Sequence, residues 1–377
     1  MNKEQDERNI INSFIRQNQA EDNTPFSYGK ILHHLDTLYE MKHCPFSVVP
    51  ITVELHLTNK CSHNCLFCMY KKEIRESDIC SAEIPFNIAK SIISDSARMG
   101  VKAITYSGGG EPTIHPQFKD ISEIGNCYDI DQGLITNGSM LHRQDICEHI
   151  INNFKWVRIS VDAGSDVIYK TMHGNHCVLN KTIEGIKQLS KLNNRKVKIG
   201  VSFLLTSLNY YDMIKLYDTL ADTGINYLQI KPMIMNEGLK NHYNNYITGL
   251  MVHQIELLTA RAKEENKLSV YVLFDQFKNI IETDHKFSKC FAHALYPVIA
   301  ATQEVFTCCM HLHNNEMRYG KITKDNSFYN LWFNESRYLL GDNIDIKKCP
   351  NLCRLAKTNN VLNMIDKITN VDINFLN

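Results

Sequence analysis

The 377-residue chain reads as an α/β protein built on a parallel sheet, followed by a small cysteine-rich C-terminal domain. Three observations predict this. Apolar stretches of strand length alternate with amphipathic helical stretches six times between residues 50 and 263, and such alternation builds a parallel sheet with helices outside it. The turns after the first two strands hold three cysteines and three glycines, at the strand ends where α/β sheets place their chemistry. Beyond about residue 268 the helical periodicity fades, and five of the thirteen cysteines appear there.

Taken in order, residues 1–45 carry two amphipathic stretches and read as an N-terminal helical cap. Glu4–Gln17 brings Ile10, Ile11, Phe14 and Ile15; Gly29–Met41 brings Ile31, Leu32, Leu35, Leu38 and Tyr39 at helical spacing. Residues 46–265 hold the six strand–helix units. Pro50–Thr58 is the first strand, with Val53, Leu55 and Leu57 on one face. Pro85–Met99 is a helix with Gly100 as its stop. The next strands are Val101–Tyr106, Gln132–Thr136, Trp156–Val161, Val197–Leu205 and Tyr227–Lys231. The helices between and after them are Pro116–Cys127, Arg143–Phe154, Val178–Leu192, Tyr211–Thr223 and Asn241–Lys263. A boundary falls near 265, leaving 266–377 as the C-terminal domain.

Charge is balanced, with 41 basic and 41 acidic residues, which gives no reason to expect nucleic acid or an anionic membrane as the main partner. No apolar run approaches the ~20 residues of a membrane span. The opening stretch MNKEQDERNIINSF is polar and unlike a signal peptide. Many cysteines without a secretory signal point to a reducing, cytoplasmic setting and to metal ligation rather than disulfides.

The chemistry is expected in Cys61-Ser-His-Asn-Cys65-Leu-Phe-Cys68, directly after the first strand. Three thiolates can hold three irons of a cubane cluster and leave the fourth open to a small chelating ligand. A zinc knuckle, with His63 inside the loop, or a disulfide pair is the competing reading. Ser107-Gly108-Gly109-Gly110-Glu111-Pro112 follows the second strand. Its glycines allow φ > 0 and close approach to a ligand, and its carboxylate can accept from an ammonium. A plain βα turn is the alternative. Thr136-Asn137-Gly138 and Ser160-Val161-Asp162 end the third and fourth strands. Alternation puts Ser160 and Asp162 on one face, able to bind hydroxyls or to cap the next helix. Ser202, Gln229 and Lys231 are further candidates on strands five and six. His173, His176 and Cys177 are expected in a loop, against substrate or in solvent.

The three cysteines at this spacing, with the aromatic Phe67 before the third and the glycine-rich turn after strand two, resemble the radical SAM superfamily. The resemblance implies a partial (β/α)6 barrel. It implies a 4Fe-4S cluster on Cys61, Cys65 and Cys68 that chelates S-adenosylmethionine. It further implies cofactor contacts from Gly109, Gly110, Glu111 and Pro112, and from strand-end groups such as Asn137, Ser160 and Asp162. Tyr70 is placed against the adenine, or packed in the core. Reductive cleavage would give a 5′-deoxyadenosyl radical that abstracts a substrate hydrogen atom.

The second set, Cys290, Cys308 or Cys309, Cys349 and Cys353, resembles twitch or SPASM-type extensions of that superfamily, which hold auxiliary 4Fe-4S clusters. Five cysteines suit one cluster better than two; zinc on the same thiolates is the alternative. Cys308 is taken as the ligand and Cys309 as free, either a hydrogen-atom donor or a buried structural thiol. His311 and His313 follow as acid–base groups or surface residues. The expected activity is oxidation or epimerisation of a sugar-like or other small hydroxylated substrate, with a flavodoxin or ferredoxin as electron donor. A peptide maturase of the same superfamily and a non-catalytic metal-binding protein are the other readings.

Overall fold

The alternation that predicts the first strand also sets its faces: Val53, Leu55 and Leu57 are fully buried, and so are the intervening Glu54 and His56. A strand buried on both sides is what a helix-covered parallel sheet requires. The computed structural model describes Ser13 and residues 24–195, 197–233, 248–281 and 285–367. The expected helix at Glu4–Gln17 lies outside the described residues, apart from Ser13, and so do residues 241–247 of the last expected helix.

The six expected strands are present as β1 (Thr52–His56), β2 (Ala103–Ser107), β3 (Asp131–Thr136), β4 (Trp156–Ser160), β5 (Lys198–Leu205) and β6 (Tyr227–Pro232). They pair in sequence order, all parallel. Helices Phe86–Met99, Phe118–Cys127, Gln144–Asn153 and Leu179–Leu192 cover them, and the main core includes both the strand and the helix residues. Gly100 ends the first of these helices at φ 91°, a left-handed position that costs glycine nothing.

The sheet does not stop at 265. β7 (Ser269–Val272) pairs parallel with β6, and β8 (Val298–Ile299) pairs parallel with β1. β9 (Glu304–Phe306) and β10 (Arg318–Lys321) continue antiparallel, giving ten strands in one sheet. The edges of β1 and β6 would otherwise leave rows of unpaired backbone groups. Strands of two to four residues are too short for any periodicity to reveal.

Two expected elements differ. Gly29–Met41 splits into a 3-10 turn, Tyr28–His33, and a helix, Leu35–His43, with His34 non-helical at φ −118°, ψ 53°. Leu32, Leu35 and Tyr39 stay exposed; Ile31 is buried with Val48, Ala294, Leu295 and Leu362, and Leu38 and Met41 pack half-buried against that cluster. The expected loop at His173 is in fact the end of a helix, Asp166–His173, that Gly174 terminates at φ 114°. Its Tyr169, Met172 and His173 are buried.

Candidate active site

Cys61, Cys65 and Cys68 line one cavity of 920 Å³ together with Gly108–Glu111, Asn137 and Ser160. The loop that carries them is fastened on two sides. Asn64 N donates to His173 O at 2.9 Å and Leu66 N to Met172 O at 2.9 Å. Asn137 Nδ2 donates to Ser62 Oγ at 3.0 Å and lies 3.6 Å from Cys61 Sγ. Burial, and then neighbouring negative groups, push the Cys61 and Cys65 thiols up. A metal centre is what offsets such a penalty, because it binds the thiolate and releases the proton.

His63, Cys65 and His173 bring their ligand atoms within 4.8 Å of one another. Cys65 Sγ lies 3.2 Å from His173 Nδ1, while His173 Nε2 is 2.8 Å from Val161 O. Burial pushes His173 down to about 3 and His63 down to about 4, so both are neutral. His173 is therefore no solvated loop residue; the helix that ends on it buries it beneath the cysteine loop.

The glycine-rich turn works differently from expectation. None of Gly108, Gly109 and Gly110 has positive φ. A Cβ on Gly110 would come within 2.0 Å of Lys60 O, and one on Gly109 within 2.4 Å of Ile74 Cδ1. The glycines let this turn press against the backbone after β1. Arg75, in a π-helical turn at Lys71–Arg75, clamps both partners through Asn59 O and Gly109 O. Glu111 is buried and faces the cavity. Its Oε1 accepts from Thr113 N, Thr113 Oγ1 and Thr136 Oγ1, and its Oε2 accepts from Asn137 N at 2.7 Å. A carboxylate has about four lone-pair sites, two on each oxygen, so one on Oε2 stays open. Pro112 opens the following 3-10 turn, Pro112–Ile114, and is not part of the cavity wall.

Ser160 lines the cavity, but Asp162 does not. Asp162 has φ 57°, which breaks the strand alternation that would place the two together. Its Oδ1 accepts from Leu204 N at 2.6 Å, and its Oδ2 lies 3.4 Å from His173 Nε2. The expected hydroxyl contact from Asp162 is thus corrected to an internal role behind the cysteine loop. Ser202 is 3.4 Å from Ser160 Oγ, and Gln229 and Lys231 reach the cavity. Tyr70 borders the cavity, yet its hydroxyl donates to Cys309 O at 3.3 Å and its ring packs edge-on to His56. This is the packed tyrosine, bridging barrel and C-terminal region, rather than a side chain free to stack on a base.

The C-terminal cysteines separate into two environments. Burial, then the Cys309, Cys290 and Cys353 thiols, raise Cys308 well above its usual range. Cys349 and Cys353 likewise feel Cys290. His311 Nε2 is 3.5 Å from Cys349 Sγ. Cys353 also lines the cavity. Cys309 points elsewhere: its Sγ accepts from Arg354 Nη1 at 3.0 Å, and it packs with Ile74, Val298, Phe306 and Leu312. It is buried and absent from the cavity wall, so the expected hydrogen-atom donor is corrected to a structural thiol.

Three charged residues escaped the sequence reading. Glu54 on β1, Arg158 on β4 and Arg354 after Cys353 line the cavity. Glu54 sits 3.4 Å from Arg354 Nη1 and 3.0 Å from His56 Nε2. Burial acts to raise Glu54, but these partners hold it at about 2. The available signal was a charge in the middle of an apolar strand, as in VELHL and WVRIS.

Residues 55–220 match the family model described as the radical SAM superfamily. Over 48% of the chain it is 24% identical to the tungsten-containing aldehyde ferredoxin oxidoreductase cofactor-modifying protein of Pyrococcus furiosus, and it spans about half (51%) of that relative's length. It is 24% identical to the GTP 3′,8-cyclase of Clostridium perfringens over 72% of this chain and 83% of the relative. Among solved structures, SuiB of Streptococcus suis bound to S-adenosylmethionine shares the fold, with a TM-score of 0.64 at 14% identity, over 88% of this chain and 76% of SuiB. Residues 55–220 carry a radical SAM domain, whose four-iron cluster and S-adenosylmethionine fit the thiol loop and cavity, and the cysteine-rich C-terminal region fits an auxiliary cluster.

Proposed function

We propose that this protein is a radical SAM oxidoreductase that dehydrogenates a small hydroxylated substrate held inside the barrel. The observation that carries the reading is that Cys61, Cys65, Cys68 and Cys353 border the same cavity. Cys61, Cys65 and Cys68 would hold the first cluster. Cys290, Cys308, Cys349 and Cys353 would hold a second in a twitch-like domain. When bound, the first cluster and S-adenosylmethionine supply a 5′-deoxyadenosyl radical for hydrogen abstraction, and the second cluster supplies a sink for the second electron.

The chain's own residues bind and orient. The open lone pair on Glu111 Oε2 suits the ammonium of S-adenosylmethionine, with the backbone of Gly109 and Gly110 beside it. Ser160 offers a hydroxyl to the same cavity, and Asn137 steadies the cysteine loop through Ser62. A 920 Å³ cavity lies within the roughly 300–1,000 Å³ of small-molecule sites. Thr24, Phe26 and Tyr28 wall it at one side, which favours a small substrate over a peptide. The structural role of Cys309 favours oxidation over epimerisation. The electron donor would be a flavodoxin or ferredoxin in the cytoplasm; no helix among the described residues is long and apolar enough to cross a membrane.

Anaerobic reconstitution with iron and sulfide, followed by reduction in the presence of S-adenosylmethionine, tests the proposal. Formation of 5′-deoxyadenosine supports it. Stable zinc with no 5′-deoxyadenosine would return the chain to a non-catalytic metal-binding role.

A further inference from the structure

The wall of the cavity is strongly cationic: six Lys or Arg side chains face three carboxylates. Some of these cations are already engaged. Arg75 holds the carbonyls of Asn59 and Gly109, Lys30 donates to Pro25 O, and Lys357 pairs with Asp275. Arg158 and Lys231 remain, from β4 and β6, and beside them stands Arg354 of the loop after Cys353, which pairs with Glu54 and donates to Cys309 Sγ. They lie close enough that Arg158 and Arg354 both depress Lys231, after burial itself. Arg158 Nε is buried without a hydrogen-bond partner, and so is Oε1 of Gln229, a residue 1% exposed that also lines the cavity. Glu54 is the carboxylate beside them and pairs with Arg354 at 3.4 Å; Asp162 acts on Lys231 from behind the wall. Three neighbouring basic side chains beside one paired carboxylate, with an unpartnered N–H among them, leave this part of the cavity short of negative charge. Buried charge of this kind demands a counter-ion, and guanidinium groups match oxyanions in both charge and geometry.

We propose that Arg158, Lys231 and Arg354 bind an oxyanion group of the substrate, a phosphate or a carboxylate. The substrate is then an acidic or phosphorylated hydroxy compound and not a neutral sugar. This rests on reading the cavity as the substrate site. Arg158 shares its β4 face with Ser160 one pleat deeper, so the anion sits farther into the barrel than the S-adenosylmethionine contacts.

The test is calorimetric titration of the reconstituted, S-adenosylmethionine-loaded protein with inorganic pyrophosphate and, separately, with malonate. At least one should bind; the tighter one identifies phosphate or carboxylate chemistry. R158Q and K231Q should each weaken binding about tenfold or more, R158K should retain most of it, and E54Q should tighten it. Iron content and S-adenosylmethionine affinity should stay at wild-type values. E54Q keeps the proposal testable if a cation variant fails to fold, because only removal of an opposing charge predicts a gain. Absence of binding by both probes to the loaded wild type would overturn the proposal. So would a loss of S-adenosylmethionine affinity in R158Q matching the loss of anion binding, since the cations would then serve that cofactor's carboxylate. Formation of 5′-deoxyadenosine without substrate reports separately on the proposed function.

Discussion

The two cysteine sets are built in opposite ways. Cys61, Cys65 and Cys68 lie within eight consecutive residues at the end of β1. Their loop is fixed by backbone bonds to the helix Asp166–His173 and by Asn137. Cys290, Cys308, Cys349 and Cys353 come from separate segments after the barrel. There, single asparagines do the fastening. Asn359 Oδ1 accepts from Phe291 N and Ala292 N at 2.8 and 2.9 Å, and its Nδ2 lies 3.6 Å from Cys290 Sγ. Asn363 Oδ1 accepts from Ser288 N and Lys289 N, each at 3.1 Å. The first site belongs to a preformed scaffold; the Cys290 segment of the second depends on two turns of the helix Ala356–Lys367. The sites should therefore fail independently and by different routes.

The sharpest break is removal of the first set. The triple change of Cys61, Cys65 and Cys68 to Ala should abolish 5′-deoxyadenosine formation, while about four irons, one cubane, remain on the C-terminal cysteines. Loss of all iron would mean that the sites are not independent.

Asn359→Ala attacks the other side. It leaves the buried Ala292 amide and the half-buried Phe291 amide without their acceptor, at a cost of about 1–3 kcal/mol for the first and less for the second. Iron bound by the C-terminal region should fall, and 5′-deoxyadenosine formation without substrate should persist. Equal loss of both signals would show that the helix supports the whole barrel.

Cys309→Ser should change turnover by less than roughly threefold, well under 1 kcal/mol of barrier. The thiol faces Arg354, and a serine hydroxyl can still accept that bond. A collapse of turnover with intact clusters would restore Cys309 as the hydrogen-atom donor.

A smaller effect separates the regions by pH. His293, in the C-terminal region, is pushed down to about 3 from an ordinary 6.5, first by burial. Between those values the unfolded chain binds the proton and the folded one does not, so stability falls as pH drops from 6.5 toward 3. Replacing His293 by Gln should flatten that part of the acid-denaturation profile, read by melting temperature. An unchanged slope would assign the effect to other buried histidines, such as His173 beneath the cysteine loop.

What the sequence made legible follows the same division. Cys61–Cys68 and Gly108–Glu111 are contiguous motifs after the C-terminal ends of two paired parallel strands, so spacing alone exposes them. Strands β1 to β6 were readable because each has at least five residues of apolar pattern. The two residues of β8 and the eight-residue helix that buries His173 were not. Asp162 was misplaced because a positive φ at a strand end is invisible to alternation. Arg158 and Glu54 read as ordinary strand residues, since only the folded sheet shows that their face lines a cavity. Arg354 gains its meaning from the fold alone, which carries it from beside Cys353 to Glu54 on the first strand.

The central claim is that two iron sites border one reaction cavity. Counting iron and acid-labile sulfide per chain in anaerobically reconstituted protein, before and after the paired change of Cys290 and Cys353 to Ala, tests it most directly. The account predicts about eight irons falling to about four, with 5′-deoxyadenosine formation retained in the variant. About four irons in both proteins, or zinc on the C-terminal thiols, would contradict it.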